Sequence, residues 1–197
     1  EMCIRDREST ELNATPVDVI TAEEFKNLRV STVAELSKYL SVASGSHFQT
    51  NALDGVDQGM ATITLRGMDH ASTLVLINKK RQTHAGTPSN DGEGYIDINI
   101  IPEIALNSIE ILNDGATSLF GSDAVAGVIN FQTFQSFDGM RLSLGSQKTS
   151  NYGQRDDSIG ALFGGEGFGG SYVFALSALN KSSLNASKIP QLAELGL

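Results

Sequence analysis

Cysteine is nearly absent from this sequence, and so are the spacings of common catalytic and metal sites. Among 197 residues the one cysteine is Cys3, which excludes an internal disulfide and a cysteine zinc site. The histidines show no His-Glu-x-x-His spacing, there is no Gly-Lys-Ser/Thr element, and no Gly-x-Ser-x-Gly turn is present. The sequence therefore predicts no metal site, no cofactor and no catalytic residue.

Positive charge and long apolar runs are also scarce. Lys and Arg number 14 against 23 Asp and Glu, and the net charge of −9 argues against a nucleic-acid partner. The basic triplet at 79–81 is interpreted as a solvated turn. No apolar run approaches the ~18 residues of a membrane helix, and residues 1–9 are interpreted as a tail or a sequencing-artefact segment. Hydrophobic residues make up 40% of the chain, which is sufficient for a packed core.

Helix and strand signals divide the first 113 residues. Residues 16–20 alternate as a short strand, and Thr21 with Glu24 forms a capping-box pattern for a helix that ends near Leu28. An apolar stripe predicts a second helix over 33–40. The sequence further predicts strands at 61–67, 72–78 and 109–113, an extended segment at 95–102 and a short helix at 102–109. A lysine at position 79 weakens the prediction of a tight type I′ turn after Asn78.

The stretch "IEILNDGATSLFGSDAVAGVIN", residues 109–130, places three glycines between two strand patterns. A phosphate loop, a nucleophile turn and a tight packing element are the alternatives. The missing enzyme spacings leave packing, with one helical turn at 116–120 and a second turn capped by Ser122 and Asp123. Small residues would let the second turn lie close against the sheet or against an enclosing wall, and residues 127–133 form the closing strand.

Alternation of apolar and polar residues dominates the chain after residue 135. Three amphipathic strands of ~8–11 residues are predicted, with a glycine-rich turn between the second and third and a longer polar loop before them. Gly165-x-Gly167-x-x-Gly170 matches a dinucleotide pattern, but a strand rather than a helix follows it. The alternation suits either an outer-membrane barrel or a water-soluble meander.

Several linked segments resemble the plug domain of TonB-dependent outer-membrane receptors. "IEILNDGATSLFGSDAVAGVINFQT" is similar to the family's closing signature, and "ITLRGMDHASTLVLINKKR" is similar to its "I-x-L-R-G … T-L-V-L-I-N-G-x-R" segment. "PVDVITAEEFKNLRVSTVAELSKYL" and "YIDINIIPEIALNSIEIL" resemble the opening strand with its helices and the approach to the signature. The resemblance stays in register over residues 10–133.

The resemblance implies an α+β fold: a plug with a mixed β-sheet and short helices, over residues 10–134. Residues 135–197 would be the first three antiparallel strands of a truncated 22-stranded transmembrane β-barrel. The chain would then be a fragment of a monomeric barrel in the outer membrane of a Gram-negative bacterium. Such a fragment should aggregate or need detergent, because its open edges and apolar face are uncovered.

The family also implies a function and partners. The receptor would take up a scarce nutrient, of the siderophore-iron, cobalamin or glycan class, and would be no enzyme. TonB, with its inner-membrane energising complex, would pair with a TonB box upstream of this chain by strand addition. A signal-transducing receptor of the same fold is one alternative, and a soluble α+β ligand-binding module is another.

Candidate site residues follow from the resemblance and from loop positions. Arg66 and Glu110 are expected to contact the barrel and lock the plug, whereas Asn113 stands where the family has a basic residue. The glycines expected to form structural turns are Gly67, Gly115, Gly121 and Gly127. The loops at 44–58 and 83–94 are candidates for the apical substrate site, and their candidate residues are His47, Phe48, His84 and Asn90.

Overall fold

The chain folds into two compact units. The computed structural model describes residues 17–28, 30, 32–46, 59, 61–86, 88–89, 92–148, 154–167 and 169–182. The first unit comprises Glu1–Pro102 with Leu106–Phe134, and the second comprises Glu103–Ala105 with Gln135–Leu197.

A five-stranded mixed sheet forms the first unit, which confirms the predicted plug architecture. Its strands are β1 (Val17–Thr21), β2 (Thr73–Ile77), β3 (Lys80–Arg81), β4 (Leu106–Leu112) and β5 (Gly127–Thr133). Their order across the sheet is β1-β4-β5-β2-β3, and only the β2–β5 pair is parallel. The inner strands β2 and β5 are nearly all buried because apolar side chains cover both faces of the sheet.

The predicted capping box starts the first helix, α1 (Ala22–Asn27). The backbone N–H of Glu24 donates to the Thr21 hydroxyl at 3.4 Å, and the Thr21 N–H donates to the Glu24 carboxylate at 2.7 Å. The second helix is shorter and tighter than predicted, because Val33–Lys38 is a 3-10 helix and Tyr39 caps its end.

The predicted strand at 61–67 is wrong. Residues 61–65 pair with no strand of the sheet, and all five are buried. The alternation of apolar and polar residues in this segment does not separate a buried face from a solvent-exposed face. Loop and side-chain groups satisfy the backbone instead: the Leu65 N–H donates to the Thr73 hydroxyl at 2.9 Å, and the Ile98 N–H donates to the Ala61 carbonyl at 3.0 Å.

Two further predictions fail in the segment before β4. The residues expected to be extended contain a 3-10 turn, Ile98–Ile100, which Asp97 caps through a 3.0 Å bond from the Asn99 N–H. The helix expected at 102–109 is a single 3-10 turn, Glu103–Ala105. The strand β4 takes the following residues because its ladder with β5 satisfies their backbone groups.

The β2–β3 turn forms despite its lysine, contrary to the expectation. Asn78 and Lys79 both have positive φ, 51° and 66°, as a two-residue type I′ turn requires. The Lys79 N–H donates to the Asn130 side-chain oxygen at 2.9 Å. The Asn78 side chain forms two hydrogen bonds of 2.9 Å with Thr133 of β5: it donates to the Thr133 hydroxyl and accepts the Thr133 N–H. These bonds to β5 stabilise the turn although position 79 holds lysine instead of glycine.

Asn130 lies in the middle of β5 with no exposed surface. Its amide nitrogen donates to Glu110 on β4 at 2.9 Å, and its oxygen accepts the Lys79 N–H. Gln132 also donates to Glu110. A buried amide is costly unless both of its polar atoms are bonded, and here both are. The network links β4, β5 and the β2–β3 turn.

The glycine-rich stretch between β4 and β5 contains two short turns, as expected: α2 (Thr117–Phe120) and a 3-10 turn at Ser122–Ala124. The predicted capping role of Ser122 and Asp123 is wrong, because no side chain caps the second turn. Gly127 starts β5 with φ 140°, and a Cβ there would lie 2.7 Å from Leu65 Cδ1 and would overlap the Leu112 carbonyl oxygen.

A three-stranded antiparallel meander forms the second unit, as predicted. Its strands are β6 (Gly139–Lys148), β7 (Arg155–Gly167) and β8 (Gly170–Lys181), paired in that order. The glycine pattern at 165–170 lies in the β7–β8 hairpin. One face carries large exposed apolar side chains, here called the apolar face: Met140, Leu142, Leu144, Ile159, Phe163, Tyr172, Phe174 and Leu176.

Replacing Gly127 by alanine should destabilise the first unit by about 1–3 kcal/mol, because the new methyl group overlaps backbone and core atoms. Urea unfolding of the full-length protein in detergent, followed by protease cleavage within residues 17–134, measures the loss. Gly86→Ala is the matched control, since nothing lies within 4 Å of a Cβ at Gly86. Equal stability of the two variants would contradict this packing.

Replacing Asn130 by alanine should cost about 1–3 kcal/mol, because Glu110 loses a donor and the Lys79 N–H loses its acceptor. The same unfolding measurement applies. Asn107→Ala on β4 is the control because Asn107 is exposed. A loss no larger than that of the control would show that the network does not stabilise the sheet.

Candidate functional site

Several loops meet at one end of the five-stranded sheet. The register places Thr73 of β2 beside Gly127 of β5, and Leu112 of β4 beside Val128. The segments that gather there are 42–46, 64–70 and 113–126, and together they are called the loop end. This end of the sheet is the candidate functional site.

Backbone hydrogen bonds fix the first two of these segments to each other. The Arg66 N–H donates to the Val42 carbonyl at 2.8 Å, and the Gly67 N–H donates to the Ser44 carbonyl at 3.1 Å. The Thr64 N–H donates to the Ser46 hydroxyl at 2.9 Å. The start of the predicted apical loop at 44–58 is therefore held at the loop end.

Arg81 holds the third segment. Its guanidinium donates to the Asp123 carboxylate at 2.6 Å and to the Phe120 carbonyl at the end of α2. The hydrogen bond from the Arg81 guanidinium is the largest cause that lowers the pKa of Asp123, and the hydrogen bond from the Ser122 hydroxyl is the next. Asp123 therefore stays ionised, and the two short turns are fastened to β3.

The predicted lock residues lie apart on the sheet. Arg66 is at the loop end, where its guanidinium lies 4.0 Å from Asp114 and both side chains are about half exposed. Such a long, exposed pair contributes little stability. Glu110 is half-buried inside the sheet in the Asn130 network. Their contact with a barrel stays a prediction.

Asn113 has an internal partner at the position where a basic residue was expected. Its amide donates to the Asp18 carboxylate of β1 at 2.6 Å. This bond joins the first residues of the edge strand to the end of β4. A neutral amide therefore serves here as a donor within the sheet.

The predicted turn glycines all lie at the loop end. Gly67, Gly121 and Gly127 have φ of 64°, 84° and 140°, which glycine tolerates best. Gly115 follows Asp114, whose carboxylate accepts its N–H at 2.8 Å.

Of the predicted substrate residues, only His84 lies within the described part of the chain; His47, Phe48 and Asn90 lie outside it. His84 is exposed, and its ring stands over Gly94, where a Cβ would lie 2.8 Å from Nδ1. The Ala85 N–H donates to the Tyr95 carbonyl at 2.8 Å, which closes this loop near its base. Its contact with a substrate stays a prediction.

Within the described ranges, no group of three or more His, Cys, Asp or Glu side chains could hold a metal ion. Nor does the described part of the chain include a helix long and apolar enough to cross a membrane. The charged groups named here pair with neighbouring groups.

Sequence reasoning missed two of the residues that organise this region. The sequence predicts a solvated basic turn at Arg81, whereas a two-residue turn after Ile77 places this residue in a paired strand. Asn130 went unnoticed, although an amide between aliphatic residues in an otherwise apolar strand signals a buried hydrogen bond.

Comparisons with known proteins agree with this architecture. The family described as TonB-dependent Receptor Plug Domain matches residues 10–128. An iron-regulated outer membrane virulence protein of Vibrio cholerae is 42% identical over 72 residues, covering 36% of this chain and 11% of that protein. The vitamin B12 transporter BtuB of Vibrio vulnificus is 28% identical over 156 residues, covering 75% of this chain and 24% of that protein.

A solved structure shows the same fold. The siderophore receptor PirA from Acinetobacter baumannii matches with a TM-score of 0.66 and 23% identity, over 94% of this chain and 27% of that one. The chain thus spans about a quarter or less of the length of these relatives. Because the family match covers more than half of its residues, the chain belongs to the TonB-dependent receptor plug domain family and is part of an outer-membrane receptor.

Proposed function

We propose that this chain is the plug and the first wall strands of a transporter that takes up a scarce nutrient across the outer membrane. The first unit closes the lumen of the barrel and contributes loops to the substrate site. The strands β6–β8, called the wall strands, belong to the barrel. The nutrient is of the siderophore-iron, cobalamin or glycan class, and TonB supplies the energy.

The observation that carries this proposal is a contrast within one chain between a sheet with two buried faces and strands with an exposed apolar face. The plug sheet buries both faces, whereas the wall strands expose Leu144 by 81% and Leu176 by 73%. A soluble module would not leave such a row of apolar side chains in water. Lipid is the environment that suits this face.

Aromatic side chains gather near one end of the apolar face. The ring centroids of Phe163 and Tyr172 are 6.0 Å apart, as are those of Tyr172 and Phe174. They lie on the side of the short β7–β8 hairpin. Aromatic girdles mark the water interfaces of membrane barrels. This cluster therefore supports the proposal that the wall strands cross a bilayer, with the β7–β8 hairpin near one of its surfaces.

The contacts of the plug suit a reversible gate. At the loop end, Arg66–Asp114 and Arg81–Asp123 are exposed ion pairs, with side chains 48% to 65% exposed. Exposed pairs typically contribute ~0–1 kcal/mol each. The first segment of the sheet, β1, is an edge strand paired only with β4. Force applied upstream of β1 would therefore act on a strand that has one neighbour in the sheet.

Uptake by cells tests the proposal. A strain that lacks the full-length gene should lose accumulation of one labelled probe among ferric enterobactin, ferric citrate, vitamin B12 and an oligosaccharide mixture. The intact gene should restore accumulation in cells with TonB but not in cells without it. Accumulation of all four probes that is unchanged by the deletion, or restoration without TonB, would contradict energy-coupled transport. A receptor that only signals would alter gene expression and leave uptake unchanged.

A further inference from the structure

The apolar face gives way to polar side chains at the end of the wall strands that lies away from the β7–β8 hairpin. Beyond Leu144 on β6 and Ile159 on β7, the residues that alternate onto this same face are polar: Ser146, Lys148, Asp157 and Arg155. Lys148 and Arg155 are exposed and lie directly opposite each other in the register. These two cations are called the basic pair.

The Arg155 side chain is held in place by Asp157. Its Nε atom lies 2.9 Å from Oδ1 and 2.8 Å from Oδ2 of Asp157, and the Ser146 hydroxyl donates to the same Oδ1 at 2.7 Å. This contact uses Nε, whereas the terminal nitrogens of a guanidinium carry four further N–H donors. A guanidinium fixed in this way presents a planar fork that matches the oxygens of a phosphate group.

The basic pair brings positive charge to this part of the face. Like charges directly opposite each other on paired strands repel, and Asp157 supplies one carboxylate against two cations. The local sign is opposite to that of the whole chain, whose net charge is −9. An anion bound between Lys148 and Arg155 would offset their repulsion.

Distance along the strands places the basic pair at a membrane surface. Tyr172 of the aromatic cluster pairs with Gly165, which lies about ten residues from Arg155 along β7. At ~3.4 Å per residue, this separation is about 34 Å along the strand. A strand tilt of 35–45° converts it to about 24–28 Å across the membrane, close to the ~25 Å height of the apolar band of membrane barrels. The aromatic cluster and the basic pair therefore lie at opposite water interfaces.

The interface beside the basic pair is the one that faces the cell surface. Residues 168–169 separate β7 from β8, whereas the longer stretch 149–154 separates β6 from β7. In bacterial outer-membrane barrels the periplasmic turns are short and the extracellular loops are longer. The basic pair lies where the longer connection begins and ends, and so beside the outer leaflet. The main lipid of that leaflet in Gram-negative bacteria is a phosphorylated glycolipid.

We propose that Lys148 and Arg155 form a binding site for the phosphate groups of this glycolipid on the lipid-facing surface of the receptor. The inference rests on the proposed function, because it requires the wall strands to cross the outer membrane. Arg155 binds a phosphate through its terminal nitrogens, and Lys148 contributes a second positive charge. The apolar face next to the basic pair contacts the acyl chains of the same lipid.

Binding of diphosphorylated lipid A to the full-length receptor in detergent tests the site, with native mass spectrometry as the measurement. A Lys or Arg near anionic lipid contributes about a factor of five in affinity. Arg155→Gln should therefore weaken binding about fivefold, and Lys148→Gln/Arg155→Gln about 25-fold. Lys181→Gln is the matched control and should leave the affinity unchanged, since Lys181 lies at the same end of the wall strands but on the opposite face. Equal affinities of the double variant and the control would overturn the proposal.

Two further lipids separate recognition of the glycolipid phosphates from general adhesion. Lipid A without its phosphates should bind the receptor about 25-fold more weakly than the diphosphorylated form, because it offers no anion to either cation. Phosphatidylglycerol has a single phosphate charge and should bind about fivefold more weakly. Affinity for either lipid equal to that for diphosphorylated lipid A would overturn the assignment to a phosphorylated glycolipid.

Migration of the unheated receptor on a gel separates this inference from the proposed function. A full-length receptor that does not run as a folded barrel would contradict the proposed function itself. A folded barrel that takes up its nutrient, but binds diphosphorylated lipid A no more tightly than the double variant does, would retain the function and reject the site.

Discussion

The buried amide of Asn130 is the interaction on which the plug sheet depends. It lies at the centre of β5, binds Glu110 of β4 on one side and accepts the Lys79 N–H of the β2–β3 turn on the other. That turn sets the position of Arg81, which fastens the two short turns before β5 to the sheet. The Asn130 side chain is therefore connected to the loop end through this turn and Arg81. If some polar atoms of the network lacked a hydrogen bond, the sheet would be less stable than one with an apolar core.

Much of the fold could be predicted from the sequence because its strongest signals are local. The capping box of α1, the strands β4 and β5 and the alternating wall strands each depend on residues close together in the chain. The prediction failed for residues 61–65. Their alternation predicts a strand, but their backbone hydrogen bonds are formed with distant residues such as Thr73. Long-range bonds of this kind leave no periodic pattern.

The candidate site was predicted in part for the same reason. The resemblance placed Arg66 and the turn glycines, and the structure brings them to one end of the sheet. The pairing of Asn113 with Asp18 has no sequence signal, because it joins positions far apart in the chain.

The plug has a firmly held interior and a loosely held loop end. Hydrogen exchange of the full-length receptor in detergent tests this division most directly, because it reports the opening free energy of each backbone amide. Amides of β2, β4 and β5 are expected to exchange most slowly and together, and those of β1 and residues 113–126 are expected to exchange much faster. Equal protection throughout residues 17–134, or faster exchange in β5 than at the loop end, would contradict it.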